Sequence, residues 1–357
     1  MHRTDRTHGG LRAFVLCLVC LTPQIVQAGD PAIRVLLAES QEPIAVAGMR
    51  IQPAPGGLFE GTRPLGRVWR VPGPGPHDVG PLRVRGSVEV SSTPTGLRVV
   101  NHVGLEDYVA GTLGREVYQG WRMETLKAQA VATRTYAVHR LRKRRSDAFD
   151  LGASTTDQVY GGAAAETPRI RAAVEATRGQ ILAYDGLPIL SVFHSASGGR
   201  TASAEEVWGR ALPYLPSHPV PDEEDSPETY WRASFSGTTL RRALAPLGVR
   251  LGAIRQLRVI DRSPSGRARR VRVSGTEGSG ELSGRELRAA LGPKTVRSTL
   301  FDIRSKGDQF IIAGSGYGHG VGMSQWGAEA MARRGAAYEE ILAAFYPGTD
   351  LAQSTRP

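Results

Sequence analysis

The 357-residue chain has only two cysteines, Cys17 and Cys20, and both lie in one apolar run near the N-terminus. A chain cut after that run has none, which excludes disulfides, a thiol nucleophile and every cysteine-containing metal site. Histidine is scarce, 8 residues in all and dispersed, with no H-E-x-x-H to mark a zinc hydrolase. The G-x-S-x-G elbow of a serine hydrolase is absent. There is no internal repeat and no long low-complexity tract. After residue 28 no apolar stretch is long enough to make a membrane helix. Acidic residues are outnumbered, 34 against 45, so the net charge is +11. That field suits an acidic partner, whether nucleic acid, an anionic membrane or an anionic wall polymer, and charge alone does not choose among them.

What is present begins with a basic segment holding Arg3, Arg6 and Arg12. An apolar run, AFVLCLVCL, and a Val-x-Ala pattern ending at Ala28 follow. This is the order expected of a secretory signal over residues 1–28, so the mature product is expected to be soluble and exported, to the periplasm or the outer cell envelope. Hydrophobic residues at 40% and charged residues at 22% describe an ordinary globular chain.

Residues 29–98 read as short β-strands separated by Pro/Gly clusters such as PAPGG and PGPGP. From Met123 to Leu141 apolar and alanine positions recur at helical spacing with no Pro or Gly, which predicts a long helix. The basic run of residues 140–145 sits at its C-terminal end, where the helix dipole favours cations. RIRAAVEATRG predicts a short helix stopped by Gly179; QILAY and PILSVFHSASGGR predict strands, and residues 213–227 an acidic, proline-rich loop. Residues 231–312 alternate short helices with strands and read as a β/α subdomain. Two helices, SQWGAEAMARRG and AYEEILAAFYPG, close the chain before a short tail at 352–357. The fold class expected is α+β, β-rich with a long central helix and C-terminal helices.

Three stretches hold candidate chemistry. In GSGYGHGVG, residues 314–322, glycine takes every second position. As a strand it has one face of bare backbone, open to close approach by another chain or a ligand, and presents Tyr317 and His319 on the other. A phosphate loop fails on spacing: the third glycine of G-x-G-x-x-G falls on His319, Val321 or Met323. A crowded backbone crossing without chemistry remains open. In FHSASGGRT, residues 193–201, hydroxyls before Gly-Gly read as turn residues rather than nucleophiles. Glu116 lies between Gly114 and Gly120, with Tyr118 and Trp121 close by. A carboxyl group near aromatics and out of bulk water has the raised pKa a general acid needs. Lys127 and Arg134, two turns apart on one helix face, read as a surface ion-pair face when taken alone.

Together these segments resemble the SpoIID/LytB family of bacterial peptidoglycan proteins. The likeness is carried by L-E-D-Y-V-x-G from Leu105, R-E-V, and W-x-x-E-T-L-K-A-Q-A-V-A-T-R-T-Y ending at Tyr136. It continues through Q-V-Y-G-G from Gln158, A-x-R-G-Q-I-L from Ala176, H-S-A-S-G-G-R-T from His194, G-Y-G-H-G-V-G-M-S-Q-W-G-A from Gly316 and Y-P-G-T from Tyr346. These motifs stand in family order over residues 99–351, the expected catalytic region.

The resemblance implies a lytic transglycosylase acting on peptidoglycan glycan strands, or an enhancer of a cell-wall amidase, with no nucleic acid involved. It implies that Glu116 is the catalytic acid/base and that the long helix carries part of the active-site cleft. Lys127 and Arg134 would line that cleft, and Tyr160, His194, Ser195, Tyr317, His319, Ser324 and Gln325 would contact substrate. In this reading GSGYGHGVG forms one cleft wall. Ser324 and Gln325 open a helix whose N-terminal amides favour a nearby anionic group. Some members bind zinc through Cys and His shortly before Q-x-Y; here that segment is DLGASTTDQVY, with neither, so no metal and no other cofactor is expected.

Overall fold

A computed structural model describes residue 2 and residues 32–354 apart from 144–147, 155–156, 222 and 224. The expected secretory segment with Cys17 and Cys20, part of the basic run after the long helix, and the last residues of the tail lie outside the described residues.

The N-terminal part is β-rich. One antiparallel sheet is ordered Ala32–Ser40, Gly96–Gly104, Ser87–Thr93, Val68–Val71, and Leu151–Gly152 adds parallel to the free side of Ala32–Ser40. A second sheet of six short strands is built from residues 44–84. Alternation places Val88, Val90, Leu97 and Val99 inside. One core runs from Ile33 to Ile181, so it crosses the expected boundary at residue 98 and joins these sheets to the first helices.

Helix α1, Leu105–Glu116, follows Gly96–Gly104 directly and carries Glu106 and Asp107 in its first turn, where the helix dipole favours anions. Helix α2, Met123–Lys143, is the long central helix that periodicity predicts. Its alanines have a reason. Leu126, Ala130, Ala137 and Leu141 face the first core, while Ala128, Val131 and Ala132 face a second one shared with the C-terminal helices. A helix packed on two sides has no wide polar face, and small side chains let both neighbours approach. Helix α3, Pro168–Ala176, is capped by Thr167; α4, Ala204–Trp208, is capped by Ser203.

Residues 231–312 enclose a third core, from Trp231 to Ile312. Two three-stranded sheets carry α5, Gly237–Leu244, and α6, Gly284–Leu291, capped by Ser236 and Ser283. Each buries an i, i+4 leucine pair, Leu240 with Leu244 and Leu287 with Leu291. Helices α7, Gln325–Arg333, and α8, Tyr338–Phe345, end the chain before a final strand, Asp350–Gln353.

Two strand expectations are corrected. Of PILSVFHSASGGR only Pro188 and Phe193–His194 are strand, and Gly198 and Gly199, at φ 76° and 97°, turn the chain at its end. GSGYGHGVG is not a regular strand either. Gly316, Gly318, Gly320 and Gly322 all have positive φ, between 70° and 119°, so the chain zigzags and makes only isolated bridges from Tyr317 to Ala196 and from Val321 to Ala202. The bare positions are filled by the chain itself. A Cβ on Gly316 would meet the Ala196 carbonyl, and one on Gly318 the His194 side chain. The crowded backbone crossing is therefore the structure of this segment.

Candidate functional site

Glu116 is the last residue of α1 and is half-buried. Its Oε1 accepts the Val159 N–H at 2.7 Å, and its Oε2 has no partner among the described residues. Burial raises its pKa above the ordinary 4.5, and the Val159 bond offsets this only partly. With Oε1 occupied as acceptor, a proton on this group belongs on Oε2, the open oxygen. Gly111 and Gly114 bring the Val159 loop here: a Cβ on either would strike Tyr160 or the backbone of Gly162 and Ala165. The Gly161 N–H donates to the Gly111 carbonyl at 2.9 Å, and the Tyr108 hydroxyl donates to Gln158 Oε1 at 2.9 Å.

An aromatic cluster stands beside Glu116. Tyr118 and Trp121 follow it in sequence, and Trp326 comes from the first turn of α7. Their ring centroids are 5.3, 5.8 and 5.0 Å apart for Tyr118–Trp121, Tyr118–Trp326 and Trp121–Trp326. Tyr118 is 60% exposed, a flat apolar surface offered to solvent. Gln325 places its Nε2 on the Glu116 carbonyl at 3.0 Å and on Gln129 Oε1 at 3.4 Å, satisfying an open carbonyl at the end of α1. Sequence reading singled out Tyr118, Trp121 and Gln325 but missed Trp326, Gln129 and the Val159 amide. Trp326 stood in plain sight inside S-Q-W-G; no local signal marks the other two.

Of the two cations singled out on α2, Arg134 is not where the resemblance puts it, whereas Lys127 forms the ion pair expected of that helix face taken alone. Arg134 is wholly buried and bonds Glu106 through two oxygens, at 2.9 and 2.7 Å. Its other donors reach the carbonyls of Gln180 and Val174, and the Gly179 N–H donates to Glu106. Arg134 thus cannot meet substrate; it ties α1, α2 and α3 together, because a desolvated guanidinium is stable only when its donors are used. Lys127 pairs with Glu124 at 2.8 Å and lies over the Tyr338 ring at 5.5 Å, contacts to α2 itself and α8.

The remaining candidates split between cleft and interior. Tyr160 is buried, stacked on Tyr108 at 5.4 Å, with its hydroxyl on Asn101 Oδ1 at 3.0 Å. Ser324 is buried and caps α7 through the Gly327 N–H. It also donates to Glu223, a buried carboxylate in the acidic loop that accepts the amides of Ser197, Gly198 and Gly199 and the Ser197 hydroxyl at 2.6–3.0 Å. The Ser324 hydroxyl and the Gly-Gly turn thus hold an internal anion, while the α7 amides expected to favour an anion are taken by the Ser195 carbonyl, from Trp326, and the Ser324 hydroxyl, from Gly327. Ser195 is half-buried, and its carbonyl accepts the Trp326 N–H.

The His194 and His319 rings pack at a tilt with centroids 5.6 Å apart, and Trp208 packs at a tilt on His319 at 5.6 Å. His319 Nδ1 accepts the Val321 N–H. Burial, helped by the neighbouring arginines, lowers His319 to about 4 and moves His194 the same way, so both rings are neutral near pH 7. Tyr317 is half-buried under the Arg297 guanidinium at 6.0 Å. Among the described residues no group of three His, Cys, Asp or Glu is set to hold a metal. Among the described residues no helix is long and apolar enough to cross a membrane.

Residues 205–322 match a domain of unknown function, DUF8618, and residues 93–184 match the family described as Stage II sporulation protein, SpoIID, which spans both the Glu116 loop and the Glu106–Arg134 pair. An uncharacterized protein of Brachyspira hyodysenteriae (strain ATCC 49526 / WA1) is 37% identical over 261 residues, 72% of this chain and 69% of that protein. Stage II sporulation protein D of Bacillus subtilis (strain 168) is 31% identical over 293 residues, 76% of this chain and 82% of the relative. The amidase enhancer of the same organism is 30% identical over 288 residues, 68% of this chain but only 40% of that longer protein. With its motifs in order and a relative matched over most of both lengths, the chain belongs to the SpoIID family.

Proposed function

We propose that the protein is an exported lytic transglycosylase that cleaves the MurNAc–GlcNAc bond of peptidoglycan glycan strands, with residues 99–351 as its catalytic region. The observation that carries this reading is Glu116: one carboxyl group with a raised pKa, one oxygen pinned by an amide, the other open, beside an exposed aromatic surface. A hydrolase normally sets two carboxyl groups across the bond. The carboxylate two residues before Val159, Asp157, is already engaged by the Tyr136 hydroxyl, the Gly152 amide and Arg140.

One group suffices when no water is consumed. Glu116 Oε2 gives its proton to the glycosidic oxygen as the C1–O bond breaks. The C6 hydroxyl of the same muramyl residue then bonds to C1 and returns its proton to Glu116, leaving a 1,6-anhydro end. Tyr118, Trp121 and Trp326 provide a face for sugar rings, and Gln325 holds the end of α1 in place. On purified glycan strands, Glu116→Gln is expected to lower the yield of anhydro ends by about 10²–10⁴-fold; full activity of this variant would overturn the proposal.

A second reading, a non-catalytic glycan binder that stimulates an amidase, is favoured by the relative named amidase enhancer. It predicts that Glu116→Gln still raises the rate of an added cell-wall amidase and that wild type yields no anhydro ends.

A further inference from the structure

A cavity of about 950 Å³ lies away from Glu116: neither that residue nor Tyr118, Trp121 or Trp326 lines it. All of its lining residues fall between Glu206 and His319, inside the segment matched to the domain of unknown function. Its volume is at the upper end of the range for small-molecule sites, enough for more than one sugar ring.

The walls carry guanidiniums whose donors are taken by neutral carbonyls rather than by carboxylates. Arg267 is 4% exposed, and its two terminal nitrogens donate only to the carbonyls of Arg200 and Ser197. Its Nε is buried with no hydrogen-bond partner. Half-buried Arg288 donates to the carbonyls of Val296 and Arg297, and exposed Arg285 to that of Val207. None of the three is within ion-pair distance of a carboxylate among the described residues.

The carboxylates on the same walls act on these cations only through space, Glu206 together with Glu223 on Arg267 and Glu286 on Arg285, and spend their hydrogen bonds elsewhere. Glu206 accepts from the amide and hydroxyl of Ser265, and Glu286 closes the capping box of α6 with Ser283. Arg269, by contrast, is paired with Asp261 and is left out of the argument. A buried guanidinium bonded only to neutral carbonyls is costly unless an anion completes it, and burial lowers Arg267 to about 10 accordingly. Gly320 makes room for it, since a Cβ there would strike the guanidinium. One wall is aromatic: Trp208, 38% exposed, packed at a tilt of 50° against His319. An indole face suits the C–H face of a pyranose.

We propose that this cavity binds a saccharide carrying an acidic substituent, the ring against Trp208 and the anion toward Arg267, Arg285 and Arg288. The site is separate from Glu116 and does not depend on Glu116 being catalytic.

Calorimetric titration of the full chain tests this with N-acetylmuramic acid, N-acetylglucosamine 1-phosphate, N-acetylglucosamine and inorganic phosphate. An acidic sugar is expected to bind at least about ten-fold tighter than the neutral one, as one or more charge-assisted hydrogen bonds would give. The tighter of the two acidic sugars identifies the anion as carboxylate or phosphate. Arg288→Ala and Trp208→Ala, each checked for an unchanged thermal transition, should each weaken that binding by about ten-fold or more. Glu116→Gln should bind as wild type does, so that failure here and failure of the transglycosylase reading remain distinguishable. Equal binding of the neutral sugar, equal binding of phosphate alone, or no binding of either acidic sugar would overturn the proposal.

Discussion

At Glu116 two effects oppose each other: burial favours the neutral acid and the Val159 amide favours the carboxylate, and burial wins. Because the pKa is raised in the folded chain, this group's contribution to stability is present below about 4.5 and is lost as pH rises through the raised value. Glu116→Gln keeps an acceptor for the amide and removes the buried charge. The variant is therefore expected to be more stable than wild type at pH 7, with the advantage vanishing below about pH 4; urea midpoints at both pH values check it. If the neutral acid starts the reaction, the rate of anhydro-end formation falls as pH rises through the same raised pKa. His319 shows the opposite linkage. With its folded value lowered to about 4, the unfolded chain binds more protons between there and the ordinary 6.5, so stability rises with pH across that window and is lost on acidification. His194 shifts in the same direction. His319→Gln should flatten the pH dependence of unfolding between pH 4 and 6.5.

At the scale of elements, the Glu106–Arg134 pair and the Glu223 nest do the joining. Arg134→Ala leaves Glu106 buried without its cation and is expected to cost about 3–5 kcal/mol. Replacing both partners, with Glu106→Leu and Arg134→Met together, should cost less than Arg134→Ala alone; denaturant unfolding of the three proteins measures the difference. Glu223→Ala would strand the amides of Ser197, Gly198 and Gly199 and the Ser324 hydroxyl. Amide hydrogen exchange at Gly198 and Gly199 is expected to speed up markedly while exchange in α2 stays slow. Retained protection at both glycines would show that the turn stands without this carboxylate. The long helix was legible because its repeat is local, whereas the partners of Arg134 lie 28 to 46 residues away in sequence, beyond any periodicity argument.

Across the whole molecule, the net charge of +11 is spread largely over arginine and is expected to draw the protein to an anionic polymer. Binding to peptidoglycan should weaken steeply between low and physiological salt, since exposed charges are screened within about 8–10 Å there; a pull-down across a salt series checks it. The sequence by itself determined the α+β class, the long helix, the helices at the C-terminus, the family and Glu116 as the carboxyl group to examine. These rest on short-range patterns and ordered motifs. Tertiary structure alone decided that Arg134, Tyr160 and Ser324 are interior residues, that the glycine ladder crosses its own chain, and that Trp326 joins Tyr118 and Trp121. It alone also placed around one cavity three guanidiniums with no direct carboxylate partner among the described residues. Burial and pairing are properties of contacts between distant segments, and a residue's type and spacing do not record whether its partner will be solvent, substrate or another part of the same chain.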